Sequence, residues 1–302
     1  MFRTTTILFV STCIGFYACQ SKQSAETKFQ ESLDTLSAVT VADTSEKTTG
    51  DVISSLPSPL EISSMIKESG ADFSSSMLNP VNNTSKYTTY HMKAINLGVF
   101  GADLGYINIY NQNKSALEYI RSVKNLADEL RVGQFFDFTT LARLAKNAEN
   151  IDSLLYLTTS GFEKMDEFLK EKNRGNISAL ILTGAWLEGL YLATQVAKTK
   201  PNKELIERIG EQKISFQDLM KLLENFKSDQ NIINVITSCG TLKNEFDKVE
   251  IEYKHGETSS SEVDGVLVVV DSGSSTVKIA DEQLKNITNL TEELRNKLIT
   301  EI

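Results

Sequence analysis

The sequence is poor in the residues that mark several common classes of protein. Its 302 residues include only 2 histidines, 3 cysteines and 4 prolines. Acidic residues outnumber basic residues, with 40 Asp and Glu and 31 Lys and Arg, which gives a formal net charge of −9. A surface that acidic repels phosphate backbones, so we do not expect nucleic acid as a partner.

The scarcity of histidine and the absence of common catalytic motifs argue against a cofactor. A di-iron bundle needs Glu-x-x-His pairs on facing helices, and His91 does not follow a Glu at that spacing. The chain also has no His-Glu-x-x-His zinc motif, no Gly-x-Ser-x-Gly elbow and no phosphate-binding loop. We therefore expect no metal and no cofactor, and the sequence favours a noncatalytic protein over an enzyme.

The three cysteines cannot form a disulfide framework. Cys13 and Cys19 belong to the N-terminal leader, which leaves Cys239 without a partner in the remaining chain. Cys239 follows an apolar helical pattern, so we expect it to be a small buried hydrophobic residue.

The first residues have the pattern of an export leader. Arg3 precedes an apolar core that is too short for a lasting transmembrane helix, and Ala18-Cys19 follows it. A small residue before a cysteine resembles the bacterial lipobox. The leader therefore predicts a lipoprotein signal peptide over 1–18 and lipidation at Cys19. The alternative is an ordinary secretory leader that is cut near Ala18. Acyl chains on Cys19 would hold the protein in the bacterial cell envelope, where we expect the outer membrane.

A polar segment separates this leader from the folded part of the chain. Residues 19–57 are rich in Ser, Thr, Glu, Asp and Lys, so they predict a disordered tether. Helical structure is predicted to begin at Ser58, because Ser58 and Glu61 match a capping box with Pro59 at the first helical position. An α-helical domain is then predicted over 58–254.

The longest apolar run of the mature chain predicts a central helix. Residues Ile177 to Lys198 are apolar almost all round, which is typical of a helix enclosed by protein or by lipid. Glu188 lies near the middle, where a membrane would penalise an acidic side chain by about 2.5–3.5 kcal/mol. We therefore predict the core helix of a soluble bundle, with Asn176 as its N-cap.

The C-terminal third predicts shorter helices and a change to β structure. Two helices are expected near 203–209 and 216–227, a longer one over 230–253, and a polar spacer over 255–264. Residues 265–302 then predict a β-hairpin, with its turn at Asp271 to Ser275, and an amphipathic helix that packs on the bundle. The predicted fold class is an all-α helical bundle with a short C-terminal β-hairpin and a disordered N-terminal tether.

Several short segments resemble a known group of proteins. They are Leu78-Asn79-Pro80, Tyr87-Thr88-Thr89, Asn96-Leu97-Gly98, the run Gly101 to Tyr106, and the central helix. Together with the leader and tether, they resemble uncharacterised α-helical lipoproteins of the Bacteroidota. This resemblance implies a fold and a location in the envelope, but it implies no mechanism.

Two acidic residues lie on otherwise apolar helix surfaces. Asp103 is followed three residues later by Tyr106, and Glu188 is followed at the same spacing by Tyr191. A buried carboxylate must be paired, hydrogen-bonded or neutralised. One interpretation is structural, with tyrosine hydroxyls, backbone amides or a basic residue satisfying each acid. The other is that both acids face one cleft and hold a cation or a polar ligand.

Small residues recur at helical spacing in the same two segments. They are Ala94, Gly98, Ala102 and Gly105, and Ala185, Gly189, Ala193 and Ala197. Glycine lowers helix stability by up to about 1 kcal/mol relative to alanine, so close helix packing is the expected compensation. Leucine at Gly98 or Gly189 is therefore predicted to overpack the core.

These patterns favour one function class and leave a second one open. The first is an exported, lipid-anchored helical envelope protein with a noncatalytic binding or assembly role. Its expected partners are the membrane, through the lipid anchor, and another envelope protein. The alternative is an enzyme or a small-ligand or cation receptor that uses a cleft near Asp103 and Glu188.

Overall fold

The structure is a computed structural model that describes residues 48–50, 52, 56, 58–145, 151–254, 258–263, 266–271 and 274–300. Within 254–275 only the backbone is described. The predicted signal peptide, Cys19 and nearly all of the predicted tether lie outside the described residues.

The described chain is predominantly helical. Its helices are α1 (Pro59–Glu68), α2 (Tyr90–Ile109), α3 (Asn113–Glu129), α4 (Phe138–Leu144), α5 (Ile151–Glu171), α6 (Gly175–Thr199), α7 (Lys203–Glu224), α8 (Gln230–Phe246) and α9 (Asp281–Thr300). Short 3₁₀ turns cover Ser75–Met77, Val81–Lys86 and Gly133–Phe135. Antiparallel strands precede α9, so the predicted class, a helical bundle with a C-terminal β-hairpin, is confirmed.

Local capping chemistry explains where α1 begins. The Glu61 amide donates to Ser58 Oγ over 3.2 Å, and the Ser58 amide donates back to Glu61 Oε2 over 2.6 Å. The predicted capping box is therefore confirmed. The predicted N-cap at Asn176 is wrong, because α6 already begins at Gly175. The Asn176 side chain accepts from the Ile177 amide over 3.0 Å and donates to Asp229 Oδ2 over 2.8 Å, so it makes a tertiary contact from within the first turn.

Helix α6 lies at the centre of the bundle. Nearly all of its residues are buried, from Ile177 through Ala197. It is the one helix among the described residues that is long and apolar enough to cross a membrane, yet most of that apolar stretch is enclosed by other helices. The central position predicted from its apolar surface is therefore observed, with α2, α7 and α9 among the helices that pack around it.

Helices α2 and α6 approach closely enough to require glycine. A Cβ atom added at Gly98 would lie 2.0 Å from the Ile181 carbonyl oxygen, and one at Gly184 would lie 1.9 Å from the Ile95 carbonyl oxygen. The close packing predicted at Gly98 is therefore present. The prediction for Gly189 is wrong, because an added Cβ there meets nothing nearer than Ile62, at 3.9 Å. Gly184 and Gly189 are five residues apart, so they lie about 140° apart around the helix axis.

One helix occupies the region where two were expected. Helix α7 runs without a break through Gly210, near which the sequence suggested an interruption. A Cβ atom at Gly210 would lie 2.4 Å from Val277 Cγ1. Gly210 therefore provides space for the side chain of Val277 and does not end a helix.

The β structure begins earlier than predicted. Helix α8 ends at Phe246, and β1 (Glu250–Lys254) then pairs antiparallel with β4 (Ser274–Lys278). Inside that pair, β2 (Thr258–Val263) pairs with β3 (Val266–Asp271).

The hairpin therefore reverses between Val263 and Val266, and the prediction of a turn at Asp271 to Ser275 is wrong. The expected spacer is also wrong over 258–263, where the chain forms β2. Ladder hydrogen bonds join backbone groups, so the serine-rich composition of β2 does not prevent pairing.

Candidate functional site

The two acids singled out by the sequence meet in the core between α2 and α6. Both Asp103 and Glu188 are 0% exposed, and their side chains are within hydrogen-bonding reach of each other. A third charged residue, Arg295 of α9, is 6% exposed and completes the cluster. Its Nε donates to Glu188 Oε2 over 2.9 Å, and its Nη2 donates to Glu188 Oε1 over 2.8 Å. This paired geometry is the strongest form of an arginine–carboxylate contact.

Arg295 was missed by the sequence analysis. It directly follows Leu294 and precedes Leu298 by three residues, and both leucines are buried on the inner face of α9. That placement was the available signal, because an arginine on a buried helix face requires an anionic partner. Its Nη2 also donates to the Met77 carbonyl oxygen over 3.4 Å, so Arg295 ties α9 to the loop before α2.

The two tyrosines do not partner the acids that precede them. The Tyr106 hydroxyl accepts a hydrogen bond from the Ser74 amide over 3.1 Å. The Tyr191 ring lies against the guanidinium of Arg295, with 4.7 Å between the ring centroid and Cζ. Of the partners that the structural interpretation allowed, a backbone amide and a basic residue are therefore the ones observed.

The surroundings of Asp103 favour its neutral form. Burial and the neighbouring negative charge of Glu188 raise the pKa of Asp103 well above its usual value, and the opposing effects of Arg295 and the Asn79 amide are smaller. Asp103 Oδ2 accepts from the Asn79 amide over 3.0 Å, whereas Oδ1 faces no donor within the described residues. A proton on Asp103 that is donated to Glu188 satisfies both acids. The cluster then contains one negative and one positive charge.

Asn79 connects this cluster to its surroundings. Its Nδ2 donates to the Tyr87 hydroxyl over 2.9 Å and to Asn96 Oδ1 over 3.2 Å. The Tyr119 hydroxyl donates to the Asn79 carbonyl oxygen over 2.9 Å. These bonds hold the loop before α2 against α2 and α3. The polar cluster therefore joins the loop, the bundle and the C-terminal helix.

A separate cavity lies on another side of the same two helices. Its volume is about 290 Å³, and neither Asp103 nor Glu188 lines it. The lining residues of α2 follow one another at helical spacing and are Leu97, Gly98, Gly101, Leu104, Gly105 and Asn108. Those of α6 do the same and are Ile181, Leu182, Ala185, Trp186, Gly189 and Leu190. Part of each small-residue stripe therefore forms a cavity wall.

The opposite wall of the cavity comes mainly from α5. Its lining residues include Leu154, Thr158, Phe162 and Met165, and Phe138 and Leu141 of α4 lie beside them. No Asp, Glu, Lys, Arg or His occurs among the described residues that line the cavity. An engineered apolar cavity of about 150 Å³ binds benzene, so this one has room for a larger apolar guest.

A second polar cluster lies where α2 approaches the start of α8. His91 Nε2 is 2.9 Å from Asp229 Oδ2, and Asn176 and Asn231 also donate to this carboxylate. Burial opposes the charge on Asp229, but these hydrogen bonds lower its pKa to about 2. These hydrogen bonds join α2 and α6 to the start of α8, and His91 contributes to this packing.

The remaining candidates among the described residues are Cys239 and groups of possible metal ligands. Cys239 is buried, and burial raises the pKa of its thiol to about 12, so almost no thiolate forms near neutral pH. No group of three or more His, Cys, Asp or Glu side chains in the described part of the chain could hold a metal ion.

No protein-family model matches this chain, and no curated protein and no solved structure matches it.

Proposed function

We propose that this protein is a noncatalytic, lipid-anchored binding protein of the bacterial cell envelope, and that its ligand enters the apolar cavity between α2, α5 and α6. The observation that carries the binding role is the cavity itself. It has a volume of about 290 Å³, and its described lining contains no ionisable side chain. Ligand sites are typically concave and mostly apolar, with a few polar groups that fix orientation.

The composition of the cavity indicates an apolar guest. Water needs two to four polar partners to occupy a cavity, and an apolar lining offers few. A guest that buries about 200 Å² of apolar surface there would gain roughly 5 kcal/mol before the costs of lost motion. The site therefore favours an aliphatic or aromatic molecule over a sugar or an ion.

The alternative function at Asp103 and Glu188 has less support. Both side chains are 0% exposed, and Glu188 makes a two-point contact with Arg295. A cation or polar ligand would have to break this pair and replace its hydrogen bonds. Breaking a buried ion pair by removing one partner destabilises a protein by about 3–5 kcal/mol, so a structural role is the simpler one.

Filling the cavity tests the binding role. Gly189→Leu would place a side chain in the cavity without a backbone clash, since an added Cβ meets only Ile62, at 3.9 Å. Naphthalene is expected to raise the melting temperature of the unaltered full chain but not that of Gly189→Leu. The matched control is Gly240→Leu, because Gly240 is outside the cavity and also has open space beside it. An equal shift in all three proteins, or no shift in any, would contradict the binding role.

The lipid anchor needs a separate test, because Cys19 lies outside the described residues. Its support is the leader, in which an apolar core is followed by Ala18-Cys19. Cys19→Ser is expected to abolish acyl labelling and detergent-phase partitioning when the protein is exported. Cys13→Ser is the matched control and should change neither. Acyl labelling that persists in Cys19→Ser would rule out this anchor.

A further inference from the structure

One polar atom in the cavity wall lacks a hydrogen-bond partner. Asn108 lies near the C-terminal end of α2, is 8% exposed and is one of the residues that line the cavity. Its Oδ1 is buried and has no partner within the described residues. A buried acceptor that is left unpaired is unfavourable, so a donor supplied by a ligand would be favoured at this position.

Of the other polar side chains of the wall, Ser58, Thr158 and Gln212 are hydrogen-bonded to the protein, and Thr159 is only partly buried. Ser58 Oγ accepts from the Glu61 amide, and Thr158 Oγ1 donates to the Leu154 carbonyl oxygen over 2.8 Å. Gln212 accepts from Trp186 Nε1 over 3.1 Å and donates to the Arg208 carbonyl oxygen over 3.3 Å. Among the described lining residues, Asn108 Oδ1 is the one buried polar side-chain atom without a hydrogen-bond partner, so it is the position at which a donor of the ligand would gain most.

The electrostatics of the wall restrict the charge of the ligand. No described lining residue is ionisable, so a charged head group would find no counter-ion in the cavity. Lys67 lies close to this end of α2, but its Nζ donates to the Ile109 carbonyl oxygen over 2.8 Å, and Lys67 does not line the cavity. Burying an unpaired charge is far more costly than burying a hydrogen-bonded hydroxyl or amide.

From this geometry we infer that the cavity binds an uncharged amphiphile, whose apolar part fills the space between α2, α5 and α6 and whose hydroxyl or amide N–H donates to Asn108 Oδ1. This inference rests on the proposed binding function and adds the chemical class of the ligand. The volume is nearly twice that of a cavity of about 150 Å³ that binds benzene, so a molecule of about a dozen non-hydrogen atoms fits.

Two isomeric probes test the donor directly. The compounds 1-nonanol and 1-methoxyoctane contain the same atoms, but the alcohol has an O–H donor and the ether does not. The full chain is synthesised without membranes, so that Cys19 carries no acyl chain, and binding is measured by calorimetric titration. The alcohol is expected to bind about tenfold more tightly than the ether, as one hydrogen bond to a buried acceptor would give. Nonanoate, which is charged at neutral pH, should show no detectable binding.

A variant at Asn108 tests whether the preference for the alcohol over the ether comes from this residue. Asn108→Leu keeps a similar side-chain size and removes the unpaired oxygen, so the two isomers should then bind equally well. Thermal unfolding of the variant checks that it folds, and the comparison of the isomers in the unaltered protein does not depend on the variant.

The possible failures can be told apart. Equal binding of alcohol and ether to the unaltered protein, a tenfold preference that persists in Asn108→Leu, or tight binding of nonanoate would overturn the inference while the cavity remained a binding site. If neither isomer nor naphthalene binds, the proposed function itself is wrong.

Discussion

Helices α2 and α6 have two kinds of buried surface. On one, polar side chains are hydrogen-bonded to each other, and the other borders an apolar cavity. On one side, Asp103 and Glu188 lie in a cluster with Arg295, where hydrogen bonds occupy nearly every polar atom. On the other side, Gly101 and Gly189 border a cavity of about 290 Å³. The same pair of helices thus combines a closely fitted polar contact with an unfilled apolar space.

The glycines of these two helices provide either close contact or open space. At Gly98 and Gly184 an added Cβ would overlap the backbone of the facing helix. At Gly101 no atom lies within 4 Å of an added Cβ, and at Gly189 only Ile62 does. Glycine therefore allows close helix contact at some positions and leaves space at others, and Gly98, which also lines the cavity, lies at the border between the two.

The largest expected effect comes from breaking the polar cluster. Arg295→Met would leave the negative charge of Glu188 buried without its partner, and we expect a loss of about 3–5 kcal/mol in the free energy of unfolding. Urea unfolding measures this loss. The double variant Glu188→Gln with Arg295→Met removes both charges and should recover at least half of it. A single variant that is as stable as the unaltered protein would show that the ion pair does not hold α9 on the bundle.

A smaller effect should separate the two kinds of glycine. Gly184→Ala forces a Cβ to within 1.9 Å of the Ile95 carbonyl oxygen, so α2 and α6 must move apart. We expect this overpacking to destabilise the protein by about 1–3 kcal/mol. Gly189→Ala is the matched control on the same helix, and it should stabilise by up to about 1 kcal/mol because alanine favours helix. Equal melting temperatures for the two variants would contradict the distinction between the surfaces.

A third effect, which depends on pH, concerns Asp103. Below its ordinary pKa of 3.8 this group is protonated in the folded and the unfolded chain. As the pH rises above that value, the unfolded chain loses the proton while the folded protein keeps it. Stability then falls by up to about 1.4 kcal/mol per pH unit until the raised folded pKa is reached.

Asp103→Asn should remove this loss, because the amide can donate to Glu188 and accept from the Asn79 amide. The variant should therefore become more stable relative to the unaltered protein as the pH rises from 4 to 8, measured by urea unfolding. Asp247→Asn is the control, because its stability relative to the unaltered protein should change with pH in the opposite direction. A hydrogen bond from Lys243 lowers the pKa of Asp247, so its contribution to stability is present at higher pH and lost as the pH falls through the lowered pKa. A difference for Asp103→Asn that does not change with pH would show that this acid is ionised in the folded protein.

Much of the helical architecture follows from local patterns in the sequence. The Ser58–Glu61 cap depends on residues within one turn, and the all-round apolar surface of residues 177–198 requires burial wherever that helix lies. The burial of Asp103 and Glu188 was likewise open to prediction, since their helical neighbours are apolar. Such features can be predicted because a few neighbouring residues decide them.

The contacts that define the candidate sites were decided by tertiary structure. Arg295 meets Glu188 across 107 residues of chain, and no local pattern names that partner. Glu250 pairs with Lys278 across a shorter separation, and the hairpin turn was predicted at Asp271 to Ser275 although the strands pair from Val263 and Val266 outward. The cavity exists because α5 meets α2 and α6 beside Gly101 and Gly189, where glycine has no side chain to fill the space. Sequence determines which surfaces must be buried, whereas the positions of the packed helices determine which of those surfaces touch and which enclose a space.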